Sequence, residues 1–293
     1  MPSSSRATLV ETAPAKVNLT LRVIGRRANG YHTLESLVVF AGAADRLTLV
    51  PGGPVSLSVR GPYAAAAGPA ADNLVLRAAR ALAAEIGGLK LGRFTLTKKL
   101  PAAAGIGGGS ADAAAALRLL ARANRIKLQD PRVMRAARAV GADVPVCVDP
   151  RPRMMRGIGE ILSKPLAVPR FAAVLVNPGV AVATKDVFAA LHRSERKRQP
   201  AAQARSVPRV REAYLTFLER RANDLEPPAV ELAPAVAKVL AALRKSSGCR
   251  LARMSGSGAT CFGLYSSPRA AATAARRIAA AQPRWWVCAS HLG

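Results

Sequence analysis

Over residues 8–59 the apolar positions alternate with polar ones or bunch into short runs. LVETAPAKVNLTLRVIG, ESLVVFAG, DRLTLV and VSLSV therefore read as strands separated by turns. The period then lengthens. Asp72-Asn73 caps a helical stretch, LVLRAARALAAEI, closed by Gly87-Gly88. RFTLT predicts a strand, and Lys98-Lys99, Pro101, a glycine-rich loop and the helix SADAAAALRLLARAN follow it. Asp130-Pro131 pairs an N-cap with proline at the first helical position, and Gly141 ends that helix. A weakly apolar stretch rich in proline and arginine near 149–156 predicts a domain boundary, dividing 1–157 from 158–293.

The second half opens with the strand FAAVLVNPG and a helix over 186–191. Residues 193–211 hold seven basic residues, one acid and two prolines and read as an exposed connection. AVELAPAVAKVLAALRKS predicts one helix, and CRLARM and TCFGLY predict strands flanking the loop SGSGA. The helix RAAATAARRIAAA and the strand RWWVCAS finish the chain, and residues 1–7 read as a frayed tail. Strands and helices mix without a regular βαβ alternation, which predicts an α+β fold.

Composition sharpens this picture. Half of the 293 residues are apolar, enough for a proper core and against a disordered chain. The formal charge of +27 invites a polyanionic partner: nucleic acid, an anionic membrane or a phosphorylated small molecule. Aromatic residues make up only 4%, poor material for stacking nucleic-acid bases. No two of the four cysteines form a CxxC pair, and the three histidines share no spacing, so neither a disulfide framework nor a zinc site is indicated. No apolar run reaches transmembrane length unbroken, which makes a reducing cytoplasm the default.

The strongest chemical signal is PAAAGIGGGSAD, residues 101–112, between a strand and an alanine-rich helix. Glycines at a helix start let several backbone N–H groups converge, and the helix dipole adds positive charge, so the segment suits phosphate groups. The alternative is a tight strand-to-helix turn. The lysine of a Walker A loop is missing, and Ser110 stands where a dinucleotide fingerprint needs its third glycine. The second glycine segment, Ser255-Gly256-Ser257-Gly258, is a hairpin turn or a wall of the same pocket. Lys16 is a solvated strand lysine or a functional cation, and Tyr31-His32, after the turn Asn29-Gly30, is edge packing or a site. Asp143 caps the next turn or serves as a functional carboxylate.

PAKVNL, GYH, GIGGGSADAA, GADVPV, RGIGE, NDLEPPA and MSGSGATCF occur in this order over residues 14–262. In that order they resemble the GHMP kinase superfamily, and the GRRANGYH and ADVP segments resemble its branch acting on a cytidine diphosphate-linked polyol. The resemblance implies a two-domain fold, the N-terminal half related to a ribosomal protein domain and the C-terminal half ferredoxin-like. It implies ATP as phosphoryl donor, with Mg2+ held mainly through its phosphates and no dedicated metal ligands. Pro101, Gly105, Gly107, Gly108, Gly109 and Ser110 would form the phosphate loop, with Asn73 and Lys98 at the nucleoside end. Asp143 matches the catalytic carboxylate and Lys16 the lysine paired with it. Asn18 and Thr184 would line the acceptor cleft. Tyr31 and Phe188 would sandwich the cytosine ring, with His32 reading its edge. The segment 149–155 departs from the family's small, glycine-containing pattern, and 193–211 matches no motif. A monomer or homodimer without membrane attachment is expected. The alternatives are another GHMP small-molecule kinase and, in a different class, a basic RNA-binding protein.

Overall fold

In the computed structural model the described residues are 7–28, 30–194 and 207–293, and the side chains of 192–194 are not among them. The expected tail, apart from residue 7, Asn29 of the turn dipeptide and most of the basic stretch lie outside them. The chain forms two compact units. The first holds the described residues up to Ala15 together with Ala44–Ala102 and Gly107–Pro150; the second holds Lys16–Ala43, Ala103–Ile106 and Arg151–Gly293. The division expected at 157 cuts the chain once, whereas these units share the strands β1 (Leu9–Arg26) and β2 (His32–Pro51).

β1 matches its expected strand to within one residue, but β2 is longer than its sequence suggests. ESLVVFAG and DRLTLV, read as separate strands, are one: Gly42-Ala-Ala-Asp45 stays extended because β2 is held by different partners at its two ends. Its Leu34–Val38 segment pairs with β5 (Arg153–Gly157), and its Arg46–Pro51 segment pairs with β4 (Gly92–Thr97). The arginine-rich stretch expected as a boundary therefore contains a strand, and a two-residue strand β6 (Ile161–Leu162) extends it.

In the first unit β3 (Ser56–Arg60) runs parallel to β4, which turns Phe94 and Leu96 into the core. Helix α1 (Leu74–Glu85) starts at Asn73, whose Oδ1 accepts from Val75 N at 3.0 Å. It packs on α2 (Gly108–Ala123) and α3 (Pro131–Val140), and α2 also packs on α4 (Val144–Val148). Ala111 and Ala113–Ala116 are fully or almost fully buried, because alanine lets neighbouring helices approach α2 on several sides.

In the second unit β7 (Phe171–Asn177) lies antiparallel between β10 (Trp286–Leu292) and β9 (Cys261–Tyr265), with β8 (Cys249–Met254) beside β9 and Ala41 of β2 beside Leu292. The helices α5 (Thr184–Ser194), α6 (Arg211–Glu219), α7 (Glu226–Leu232), α8 (Ala235–Lys245) and α9 (Pro268–Ala281) complete it. Val174, Val176, Val239, Leu240, Leu243 and Ile278 form part of its core. The single helix expected over 229–246 is broken at Ala233-Pro234, since proline disfavours helical backbone in the residue before it. Helix α6 has no counterpart in the sequence reading. Among the described residues no helix is long and apolar enough to cross a membrane.

Candidate active site

The candidate residues fall in both units, and each group stands in its own. In the first unit α2 begins at Gly107, a left-handed N-cap (φ 60°, ψ 24°) with no capping side chain. The N–H groups of the first turn have no partner inside the helix, so Gly108, Gly109 and Ser110 offer donors at the positive end of a 16-residue dipole. Pro101 is buried ahead of this loop.

Beneath that turn lies a charged triad. A Cβ on Gly108 would stand 3.5 Å from Lys98 Nζ. Nζ donates to Asp112 Oδ2 at 2.8 Å and to Asp45 Oδ2 at 2.5 Å, and all three side chains are buried. Asp45 Oδ1 accepts from the backbone N–H groups of Lys99 and Leu100. Asp112 Oδ1 is buried without a partner. Burial pushes the Asp112 carboxyl up to about 7; Asp45 adds to the shift and Lys98 opposes it. Burial pulls the Lys98 ammonium down, but Asp112 and Asp45 outweigh it and hold its pKa above the ordinary value. This setting differs from the nucleoside contact the resemblance implies, since the charge of Lys98 is spent on two carboxylates. Asn73 also uses its Nδ2, which donates to Ala67 O at 3.4 Å.

Asp143 stands at the N-cap position of α4, half-buried, and its side chain makes no capping hydrogen bond. Capping therefore does not account for the carboxylate. Helix α4 is tied in place by Arg118 of α2, which donates to Cys147 O at 2.7 Å and Thr12 O at 2.6 Å and pairs with Glu11 at 3.1 Å.

In the second unit Lys16 is buried in β1, and its N–H donates to Ile106 O at 2.9 Å. Asn18 points its Nδ2 at Ser36 Oγ (2.7 Å), and Ser36 Oγ donates to Thr20 O (2.6 Å). Asn18 Oδ1 is buried without a partner. The backbone N–H of Asn18 donates to Ser255 Oγ (3.1 Å), which donates to Gly105 O (3.0 Å). Residues 255–258 do form a turn between β8 and β9, but they also pack on the first glycine segment. A Cβ on Gly105 would lie 2.5 Å from Gly258 O, and one on Gly256 would lie 2.9 Å from Gly105 O. Backbone meets backbone there, which requires glycine.

Thr184 begins α5 and shares a 2.8 Å hydroxyl hydrogen bond with Ser257. One turn on, Phe188 stacks on His32, ring centroids 4.5 Å apart and planes 17° apart. The resemblance pairs Tyr31 with Phe188; the imidazole of His32 lies on Phe188, and Tyr31 is 61% exposed. Arg27, before the Gly30-Tyr31 turn, pairs with Glu160 at 2.8 Å, and a Cβ on Gly157 would strike that carboxylate. GRRANGYH and RGIGE thus meet.

Sequence reasoning missed Asp45, Asp112, Ser36, Asn223 and Glu226 as contributors. Asp112 and Asn223 lay inside quoted motifs, but only their partners, distant in sequence, reveal what they do.

The chain matches the family described as GHMP kinases N terminal domain over residues 73–149 and that described as GHMP kinases C terminal over residues 199–284. It is 56% identical over 280 residues to the 4-diphosphocytidyl-2-C-methyl-D-erythritol kinase of Xanthobacter autotrophicus, covering 94% of this chain and 96% of that protein. It is 57% identical over 280 residues to the protein of the same name from Azorhizobium caulinodans, covering 95% and 97%. Among solved structures it is similar to a crystal structure of 4-(cytidine 5'-diphospho)-2C-methyl-D-erythritol kinase, with a TM-score of 0.78 and 37% identity over 97% of this chain and 99% of that one. A homoserine kinase from Cytophaga hutchinsonii, 20% identical with a TM-score of 0.71 over 99% and 96%, shares the fold.

Proposed function

The chain belongs to the 4-diphosphocytidyl-2-C-methyl-D-erythritol kinases of the GHMP family, and from that premise we propose how its residues perform the reaction. It transfers the γ-phosphoryl of ATP to the 2-hydroxyl of 4-diphosphocytidyl-2-C-methyl-D-erythritol, a step of non-mevalonate isoprenoid precursor synthesis, and with ATP as donor the compartment is the cytoplasm.

Phosphoryl transfer passes through a loose transition state, so positioning and charge stabilisation dominate. The N–H groups at the start of α2, with Gly105 and Ser110, hold the ATP phosphates, and Asn73 lies at the nucleoside end. A cradle of N–H donors suits phosphate oxygens and not a bare cation; Mg2+ would be held through the ATP phosphates, where it would neutralise their charge. Lys98 acts from inside the first unit, fixing the base of α2. Asp143 takes the proton of the acceptor hydroxyl late in the transfer. Lys16 steadies the negative charge developing on the oxygen. Asn18, Thr184, Tyr31, His32 and Phe188 hold the acceptor.

The observation that carries this reading is the start of α2, where Gly107 adopts left-handed backbone with no capping side chain and leaves the helix N-terminus open to an anion. The test is ATP turnover by the purified chain with a panel of alcohols. The cytidine diphosphate-linked polyol is expected to be phosphorylated with a kcat/KM at least a hundredfold above homoserine or mevalonate. Preference for either of those would overturn the acceptor assignment.

A further inference from the structure

The NDLE segment between α6 and α7 has no role in the mechanism above, yet its side chains reach the second glycine turn. Asn223 is 2% exposed. Its Nδ2 donates to Met254 O at 2.9 Å and to Gly256 O at 2.7 Å, and its Oδ1 accepts from Leu225 N at 3.0 Å. Those partners fix the amide's orientation, since a flipped amide would aim its oxygen at two carbonyl oxygens. Glu226 Oε2 accepts from Met254 N at 2.9 Å, so this tetrapeptide grips Met254 through both its N–H and its C=O.

The far side of the same turn meets residues assigned to the reaction. Ser255 Oγ lies between Asn18 N and Gly105 O, and Ser257 Oγ lies against Thr184 Oγ1. Asp224 faces elsewhere: its Oδ2 accepts from Val23 N at 2.9 Å, and its own N–H donates to Leu21 O, both in β1. Neighbouring residues of one tetrapeptide thus hold different things, Asn223 and Glu226 the glycine turn and Asp224 the strand.

We propose that Asn223 is a positioning residue for phosphoryl transfer: by binding the carbonyls of Met254 and Gly256 it fixes the Ser255–Gly258 turn, and through that turn the placement of Gly105 and Asn18. The inference rests on the reading that Gly105 and Asn18 serve the two substrates. The two carbonyls lose their donor when Asn223 is replaced, and the turn must shift to find others. Misplacing reacting groups by about 1 Å costs on the order of a hundredfold in rate. Binding of each substrate alone depends less on that alignment.

The experiment compares Asn223→Ala with Asp224→Ala by thermal unfolding and steady-state kinetics at a temperature where both are folded. Both should lose stability. Asn223→Ala should lower kcat about thirtyfold or more, with KM for ATP and for the cytidine acceptor each within about threefold of wild type. Asp224→Ala should keep kcat within about threefold. Equal losses of kcat in the two variants, or full activity per folded molecule in Asn223→Ala, would overturn the proposal. Should Asn223→Ala fail to fold, Asn223→Ser, which keeps one hydroxyl donor, takes its place: a reduced kcat with unchanged KM values supports the assignment and a native kcat overturns it. Wild-type chain runs in parallel, and its inactivity on the cytidine acceptor would count against the function instead of against Asn223.

Discussion

Lys98 Nζ lies 2.8 Å from Asp112 Oδ2, both side chains buried one turn below the glycine start of α2, and Asp45 faces the same ammonium. Two carboxylates share one cation, and the unpartnered Oδ1 of Asp112 can carry the proton that balances the charge. Burial first, then Asp45, raises the Asp112 carboxyl to about 7 against the pull of Lys98. In the unfolded chain this group titrates near ~4. Between those values the folded chain keeps a proton that the unfolded chain gives up, so Asp112 makes stability fall as pH rises through that window, and the effect levels off above it. Asp112→Asn removes the titration. In urea unfolding at several pH values, the stability of the variant relative to wild type should therefore improve as pH rises from about 5 to 7 and then stay flat. A difference independent of pH would refute the shared proton.

Gly105 and Gly107 are two residues apart but are glycine for different reasons. At Gly107 the reason is φ of 60° at a helix start; at Gly105 it is also a backbone contact, 2.5 Å from a virtual Cβ to Gly258 O. Gly107→Val adds a branched side chain to left-handed backbone, which costs about 1–2 kcal/mol, and it crowds the amides proposed to hold the phosphates. ATP affinity should collapse while circular dichroism stays native. Gly105→Ala should lower the melting temperature more than Gly107→Ala does, because two backbones must separate. Normal ATP affinity in folded Gly107→Val would remove this loop from the nucleotide site.

This contrast shows what could be read in advance. A glycine run before an alanine-rich helix is a local signal, as are the caps at Asn73 and Asp130, and all three lie where the sequence puts them. The setting of Lys98 was not legible, because its partner Asp45 sits 53 positions away and nothing local to KKLP shows burial. Strand β2 read as two pieces because Gly42-Ala-Ala-Asp45 has turn composition. Gly42 in fact makes room for His291, whose ring a Cβ would meet at 2.4 Å. Helix α6 was hidden beside a basic stretch, although Tyr214, Leu215, Phe217 and Leu218 form its buried face. The proposed acceptor residues come only from resemblance. An exposed Tyr31 and a His32 in a strand carry no local mark of a nucleobase site.

Stacking of His32 on Phe188 gives a test of that site. A base stacked on an aromatic ring gains about 1–3 kcal/mol. Phe188→Ala should raise KM for the cytidine acceptor about tenfold or more and leave KM for ATP nearly unchanged. If both KM values rose together, Phe188 would be packing for α5 and not a surface for the base.

In the proposed mechanism the chemical step rests on Asp143 and Lys16. Asp143→Asn keeps the side chain's size and removes its charge and basicity. Asp143 makes no capping hydrogen bond to α4, so the substitution removes no helix cap. If the carboxylate takes the acceptor's proton, kcat should fall by about 10²–10⁴ with both KM values largely kept. Lys16→Met should cost a comparable factor in kcat. The double variant should lose much less than the product of the two, since residues that act as a unit give grossly non-additive losses. Melting temperature and kcat measured on the same preparations separate the possibilities. Full activity in Asp143→Asn would remove the carboxylate from the reaction, and a double variant whose losses multiply would mean that Lys16 and Asp143 act independently.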